Sequence, residues 1–354
     1  MPHREIDWAA VRRVLVIRLR SIGDTVLATP SVIALRRSLP NVQLDILLES
    51  WVAPLLDGFD EVDNVLTAGP QTRDKLRTAS ELYRRGYDVA FNLHGGTTAT
   101  MLTAASRARH RIGFAGYQYS FLHNRAYPPA IDFWARNTAH SAEQQLALLG
   151  YAGIGVDDRP KSRLSVTEAA RESIERKVSG EAGGFVLMHP AAAFASKQWP
   201  AENFARTAEF LYRSHGLRTV AVASKNESEV LQTVKAASTV PVTVFDDLSL
   251  PEITALASRA ALFVGNDSGI AHMAAAVSTP VVVIFGESNR DHWYPWTDAA
   301  NRMIYSERPG RRCPLDICSE PKERACIHCI EPDEVFAAAS DLLTTVNPEI
   351  LSKP

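Results

Sequence analysis

Short apolar runs alternate with longer amphipathic stretches along most of the chain, the pattern of a parallel sheet covered by helices. In the first half, Val14–Leu19, Gln43–Leu48 and Asp88–Asn92 read as buried strands, and Pro30–Leu39 and Lys75–Arg85 as helices. The second half repeats the rhythm more regularly. Strands are expected at Phe185–His189, Thr219–Ala223, Val242–Phe245, Leu262–Gly265 and Val281–Phe285. Helices are expected at Ala201–His215, Glu227–Ala237, Leu250–Ala260 and Gly269–Val277. Between the halves, the stretch around Gly150–Ser165 contains "GYAGIGVDDRP" and reads as a linker. Two open α/β units follow, and ligands in such units sit beyond the carboxyl ends of the strands. Pro30 leaves one local choice open. It fits the first turn of a helix capped by Thr29, or a kink in a longer helix that begins at Asp24.

Size and composition agree with this division. The chain has 354 residues, long for a single core, and is 46% hydrophobic and 22% charged, as soluble globular proteins are. A formal net charge of -2 argues against a general nucleic-acid binder. Residues 1–150 nevertheless carry 17 Lys/Arg against 14 Asp/Glu, a weak pointer to an anionic partner of the first half. The N-terminus "MPHREIDWAAVRR" lacks the apolar core of a signal peptide, and no apolar stretch is long enough to span a bilayer. The cytoplasm is the expected compartment. All four cysteines fall in Cys313-x4-Cys318-x7-Cys326-x2-Cys329. Such a cluster is no disulfide framework for the fold; it fits a structural zinc site, a local disulfide or free thiols.

Three segments could carry chemistry. In "RSIGDTVLATPSVIALRR", the carboxylate Asp24 stands just past the first strand, in a turn with one glycine. It is either a helix cap or a base aimed at a ligand. "GNDSGIAHMAAA" follows the strand at Leu262 and opens a helix of small residues. Backbone N–H groups at Ser268, Gly269 and Ile270 could hold a diphosphate there, with Asp267 as the expected N-cap and His272 one turn in. "HPAAAFASKQWP" occupies the matching loop after Phe185–His189, and its Lys197 could meet phosphate charge. Glu227 follows the next strand, where a ribose-binding carboxylate commonly sits; it fits a first-turn helix acid equally well.

The sequence resembles glycosyltransferase family 9, the ADP-heptose:lipopolysaccharide heptosyltransferases. The resemblance rests on "VLVIRLRSIGDTVLATPSVIALRRSLP", "MHPAAAFASKQWP" and "GNDSGIAHMAAAVSTPVVVIFGESN", in that order. It implies a GT-B fold of two Rossmann-like domains facing each other across a cleft. These are a 1–165 acceptor-binding domain and a 166–354 nucleotide-sugar-binding domain, with the last helix returning to the first. It further implies inverting transfer of a heptose or related sugar from an ADP-sugar to a lipopolysaccharide core acceptor, with no required metal. Peripheral contact with the inner membrane is the matching expectation. Position by position, Asp24 matches the general base, Lys197 a phosphate-binding lysine, and Asp267, Ser268, Gly269 and His272 the donor loop. Glu227 matches a sugar- or ribose-contacting acid through a looser motif. "NLHGG" at Asn92–Gly96 departs from the family's more usual Asp-Leu-Gln-Gly. Two other readings share this architecture: a sugar-nucleotide epimerase and a non-catalytic nucleotide-sugar-binding protein.

Overall fold

The computed structural model of the chain describes residues 5–178, 184–286, 288–306 and 326–346. It divides into two compact units, Met1–Ser165 and Val166–Pro354. In the first unit the strands are β1 (Arg13–Ile17), β2 (Gln43–Glu49), β3 (Asn64–Ala68), β4 (Val89–Asn92), β5 (His110–Phe114) and β6 (Arg125–Tyr127). The second holds β7 (Phe185–His189), β8 (Arg218–Val222), β9 (Val242–Phe245), β10 (Leu262–Asn266), β11 (Val281–Phe285) and β12 (Asn301–Tyr305). Their orders are β3-β2-β1-β4-β5-β6 and β12-β11-β10-β7-β8-β9, with every pairing parallel. Read from the other edge, the second order matches the first. Both are the doubly wound Rossmann arrangement, in which strand order reverses between β1 and β4 and again between β7 and β10.

The central strands are buried on both faces, so Val14–Ile17 and Val281–Phe285 form unbroken apolar runs. The outer strands escaped the sequence pattern for the complementary reason. β3 and β12 lie at sheet edges and are only partly buried. β6 is also an edge strand, three residues long, and its neighbour β5 opens with the polar pair His110-Arg111. The buried helices Thr97–Ala105 and Ser141–Tyr151 lack a marked polar face, and so show little helical period. The C-terminal helix Pro332–Val346 places Val335, Ala339 and Leu342 in the second unit's core. Its apolar face is thus used there.

Pro30 divides two helices. Ile22–Val26 ends before Thr29–Ser38 begins, the latter with Ala28 as N-cap rather than Thr29. Proline has no N–H to bond the Val26 carbonyl, and the Thr29 hydroxyl donates to that oxygen instead at 2.7 Å. The short first helix is the element that carries Asp24.

Candidate functional site

In the first unit, β1 ends at Ile17 and four residues later Ser21 caps the helix Ile22–Val26. The Arg20–Ser21 peptide in this turn is cis. Asp24 is the third helical residue rather than the N-cap. Its Oδ2 accepts from the Ser21 backbone N–H at 3.3 Å and from the Ser21 hydroxyl at 3.1 Å. Its Oδ1 pairs with the Arg18 guanidinium, which also donates to the Leu93 carbonyl at 2.6 Å. A buried cation therefore ties the end of β1 to the loop after β4 and orients the carboxylate.

That neighbouring loop is held from beneath. Asn92, fully buried at the end of β4, accepts from the backbone N–H groups of His94 and Gly95 at 3.1 and 2.9 Å. Gly95 has φ +83°, and a Cβ there would come within 2.7 Å of the Tyr117 ring. Only glycine fits both the dihedral and the space. His94 has an Nδ1 with no hydrogen-bond partner, and burial together with Arg18 shifts its pKa below the usual imidazole range. Burial pushes the Tyr117 phenol up to about 12. The first switch point thus groups Asp24 with a neutral imidazole and a neutral phenol, all within the electrostatic reach of Arg18.

In the second unit the loop after β7 is much longer and is fixed by another buried asparagine. Asn266, at the end of β10, donates to the Pro190 carbonyl at 2.8 Å and accepts from the Trp199 N–H at 3.1 Å. Trp199 is fully buried and donates from Nε1 to the Ile330 carbonyl at 3.0 Å. The loop lies so close to the end of β11 that a Cβ on Gly286 would fall 2.2 Å from the Ser196 carbonyl oxygen. These contacts place Lys197, whose ammonium donates to Asp267 Oδ2 at 3.0 Å. Ser288 donates to the same oxygen.

Asp267 is not the N-cap either. Its N–H still bonds the Ile284 carbonyl at 3.0 Å, so the chain leaves the sheet one residue later and Ser268 caps the helix Gly269–Ala276. The Ser268 hydroxyl pairs with His189 Nδ1 at 3.1 Å, and no side chain caps the helix start. Its first amides therefore remain available to an anion. His189 lies at the end of β7, and burial lowers its pKa to about 4, against a smaller upward pull from Glu227. Glu227 itself accepts from the Ser224 backbone and hydroxyl at 3.1 and 2.6 Å. The first-turn helix reading of this acid describes that geometry. His272 is buried inside the helix, and Gly269 is its first residue.

Three participants lay outside the sequence's list of candidates: Arg18, His94 and His189. Arg18 had a signal, a charge directly behind an apolar strand. His94 and His189 each close a strand or follow one by two residues, inside segments singled out for other reasons.

The profile of glycosyltransferase family 9 (heptosyltransferase) matches residues 75–322, more than half of the chain. The chain belongs to this family. Over 342 residues it is 26% identical to lipopolysaccharide heptosyltransferase 3 of Escherichia coli strain K12, covering 92% of this chain and 96% of the relative. Two solved structures share the fold at 21% identity. A family 9 glycosyltransferase from Veillonella parvula aligns with a TM-score of 0.82 over 94% of this chain and 97% of its own. ADP-heptose lipopolysaccharide heptosyltransferase II of E. coli aligns at 0.79 over 94% and 99%. This family 9 chain is therefore a glycosyltransferase of GT-B architecture.

Among the described residues no helix is long and apolar enough to cross a membrane. Nor do they place three or more His, Cys, Asp or Glu side chains together as a metal site. Of the cysteine cluster, Cys326 is buried and Cys329 partly so, with no disulfide between them. Cys313 and Cys318 lie outside the described residues, so the zinc, disulfide and thiol readings of the four stand as they did.

Proposed function

We propose that the chain moves a heptose, or a closely related sugar, from an ADP-sugar to a lipopolysaccharide core acceptor with inversion. The observation that carries this reading is that two equivalent switch points offer opposite charges, a carboxylate in the first unit and a cation with open helix amides in the second. The names of the relatives, which specify lipopolysaccharide and ADP-heptose, supply the substrate classes. On this reading the first unit holds the acceptor and the second the donor.

Asp24 takes the proton from an acceptor hydroxyl as that oxygen bonds the anomeric carbon. The bond from the anomeric carbon to the diphosphate breaks in the same step, releasing ADP. Lys197 and the amides at Ser268–Ile270 meet the charge that develops on the leaving diphosphate. Gly269 keeps the helix start open to that group, Asp267 orients Lys197, and Glu227 stands where a ribose contact is expected. His272 supports the helix from within.

The test is a product assay with a panel of nucleotide-sugars and truncated lipopolysaccharide cores. A new glycosidic bond formed from ADP-heptose supports the proposal. Donor isomerised without acceptor, or donor bound and never consumed, would replace it with the epimerase or the binding protein. Turnover is expected to persist in EDTA, because a lysine and helix amides stand where a metal would otherwise neutralise phosphate. Loss of activity restored only by a divalent ion would refute that part.

A further inference from the structure

The first switch point has a second wall, built by the end of β2. The two chains stay bonded beyond the end of β1: the Arg18 N–H donates to the Leu47 carbonyl at 3.1 Å, and the Glu49 N–H to the Leu19 carbonyl at 2.7 Å. Glu49 therefore stands beside the turn that carries Asp24. Its Oε2 accepts from the Trp51 indole N–H at 2.9 Å, and its Oε1 lies 3.9 Å from Arg20 Nε. That separation is too long for a hydrogen bond, and the oxygen keeps room for another donor. After burial, the charges that act on the His94 ring are Arg18, Asp24, Arg20 and Glu49, so the whole group lies within electrostatic reach of one imidazole.

Trp51 is 53% exposed on a turn that is itself fixed. The Ser50 N–H donates to the Ala68 carbonyl at 3.2 Å and the Val52 N–H to the Glu49 carbonyl at 3.1 Å, and Val52 is fully buried. Ordered backbone on both sides thus holds the ring outward. Glu49 occupies its one polar atom, and among the described residues no other aromatic ring or cation stacks on it. The other five tryptophans each meet another aromatic ring. Single exposed apolar side chains are common and need no ligand. What distinguishes Trp51 is a pinned, unstacked ring next to the charged groups around Asp24.

We propose that Trp51 is the platform on which a pyranose ring of the acceptor stacks, with Glu49 as the residue that positions it. A pyranose has a face of C–H groups and an edge of hydroxyls. The C–H groups carry partial positive charge and are drawn to the negative face of the indole, and the contact buries apolar area on both partners. Glu49 fixes the angle of that face through Oε2 and accepts from a sugar hydroxyl through Oε1. An aromatic wall with a few placed polar groups is the usual make-up of a small-ligand site. A free phosphate would use Arg20, leave the indole idle and meet the Glu49 charge, whereas a saccharide uses ring and carboxylate together. The inference rests on the transferase reading and adds to it the side chains that orient the acceptor.

Steady-state kinetics with the lipopolysaccharide core fragment that the parent uses best, together with calorimetric titration of ADP, test it. Trp51→Leu, apolar but not flat, should raise the acceptor KM by roughly ten- to thirtyfold, the usual effect of losing a tryptophan anchor at a binding surface. The loss should fall on KM more than on kcat, because stacking holds the ground state and the transition state alike. Trp51→Phe keeps a flat ring and should recover most of the affinity. Glu49→Ala should raise KM by a smaller factor, and Glu49→Gln, whose amide oxygen still accepts the indole N–H, should lie closer to the parent. Melting temperature and ADP affinity should match the parent in all four. A parent that transfers sugar while Trp51→Leu keeps the parental acceptor KM would overturn this inference alone. A parent that transfers to no core fragment would overturn the transferase reading and this inference with it. Weakened ADP binding in Trp51→Leu would assign the ring to the donor's base instead.

Discussion

Each unit pairs an aspartate with a cation at the point where its strand order reverses, yet the pairs are built in opposite senses. In the first, the Arg18 side chain is 10% exposed and Asp24 22%, so the acid is the more accessible member. In the second, Lys197 is 28% exposed and Asp267 7%, so the cation is. The backbone causes this inversion. A three-residue connection after β1 brings a helix down on the strand end, which buries the arginine beneath and raises the acid on the helix. After β7 the chain instead makes a long loop that carries the lysine outward, and the acid stays at the strand end β10. A buried asparagine ends the fourth strand of each unit: Asn92 holds the loop that follows β4, and Asn266 the loop that follows β7. One topology thereby presents an accessible carboxylate from one unit and an accessible cation from the other.

The largest expected effect comes from Asp24→Asn. Loss of a general base is commonly worth about 10²–10⁴-fold in turnover. The structure also changes what this variant tests. An amide cannot accept from both Ser21 and Arg18, since one of its two ends is a donor. Arg18 would lose part of its partner while buried, so stability should fall together with turnover. Ser21→Ala separates the two roles: it disturbs the cap, at a cost of about 1 kcal/mol, and keeps the carboxylate. Turnover of Ser21→Ala near the parent value, with Asp24→Asn reduced at least a hundredfold, supports the base. Equal losses in both would make Asp24 a structural residue and erase the functional contrast between the units.

Lys197→Ala should weaken ADP binding by roughly ten- to a hundredfold, the usual worth of a charge-assisted contact. The contrast between units predicts that Arg18→Ala, by comparison, leaves ADP affinity alone and lowers turnover. Calorimetric titration of ADP into both variants decides it. Unchanged ADP affinity in Lys197→Ala would remove the lysine from the donor site.

The sequence made the second unit more legible than the first, and the reason is packing. β7 and β11 are read to the residue, because their burial leaves an apolar run bounded by turns, and β9, a partly buried edge strand, is read because its four residues Val-Thr-Val-Phe are all of types that favour strands. β3, β5 and β6 sit toward the rims of the sheet, where half-exposure breaks the pattern. At the site, the sequence order of "GNDSGIAH" located the loop and misplaced the cap by one residue. Whether Asp267 or Ser268 leaves the sheet depends on a hydrogen bond to β11, which lies beyond the segment itself. The Arg18–Asp24 pair was hidden for a different reason. It requires knowing that a helix starts within four residues of the strand, and five-residue helices carry too short a period to announce themselves.

The smallest predicted effect concerns what lies behind each switch point, where both units bury one uncharged histidine. His123 Nε2 faces the Asn92 side-chain amide at 3.3 Å, and His189 Nδ1 faces the Ser268 hydroxyl at 3.1 Å. Since Asn92 Oδ1 already accepts two backbone N–H groups, its Nδ2 must donate, and His123 Nε2 must accept. A protonated ring would set two donors against each other there. Burial is the first cause of both low pKa values, about 4 in each case, with Arg111 adding to the effect on His123. An unfolded histidine takes its proton near 6.5, so between about pH 6.5 and 4 the unfolded chain binds more protons than the folded one. Stability from these groups is therefore complete above the unfolded value and is lost as pH falls through that window. Each should contribute a loss of about 1 kcal/mol between pH 7 and 5.5. Denaturant midpoints at the two pH values, measured for the parent and for His123→Gln and His189→Gln, check this directly. Each glutamine should flatten the pH dependence by about that amount, whatever it does to absolute stability. A variant as pH-sensitive as the parent would mean that its histidine titrates alike in both states, and the two units would then differ in what supports their switch points as well as in what they present.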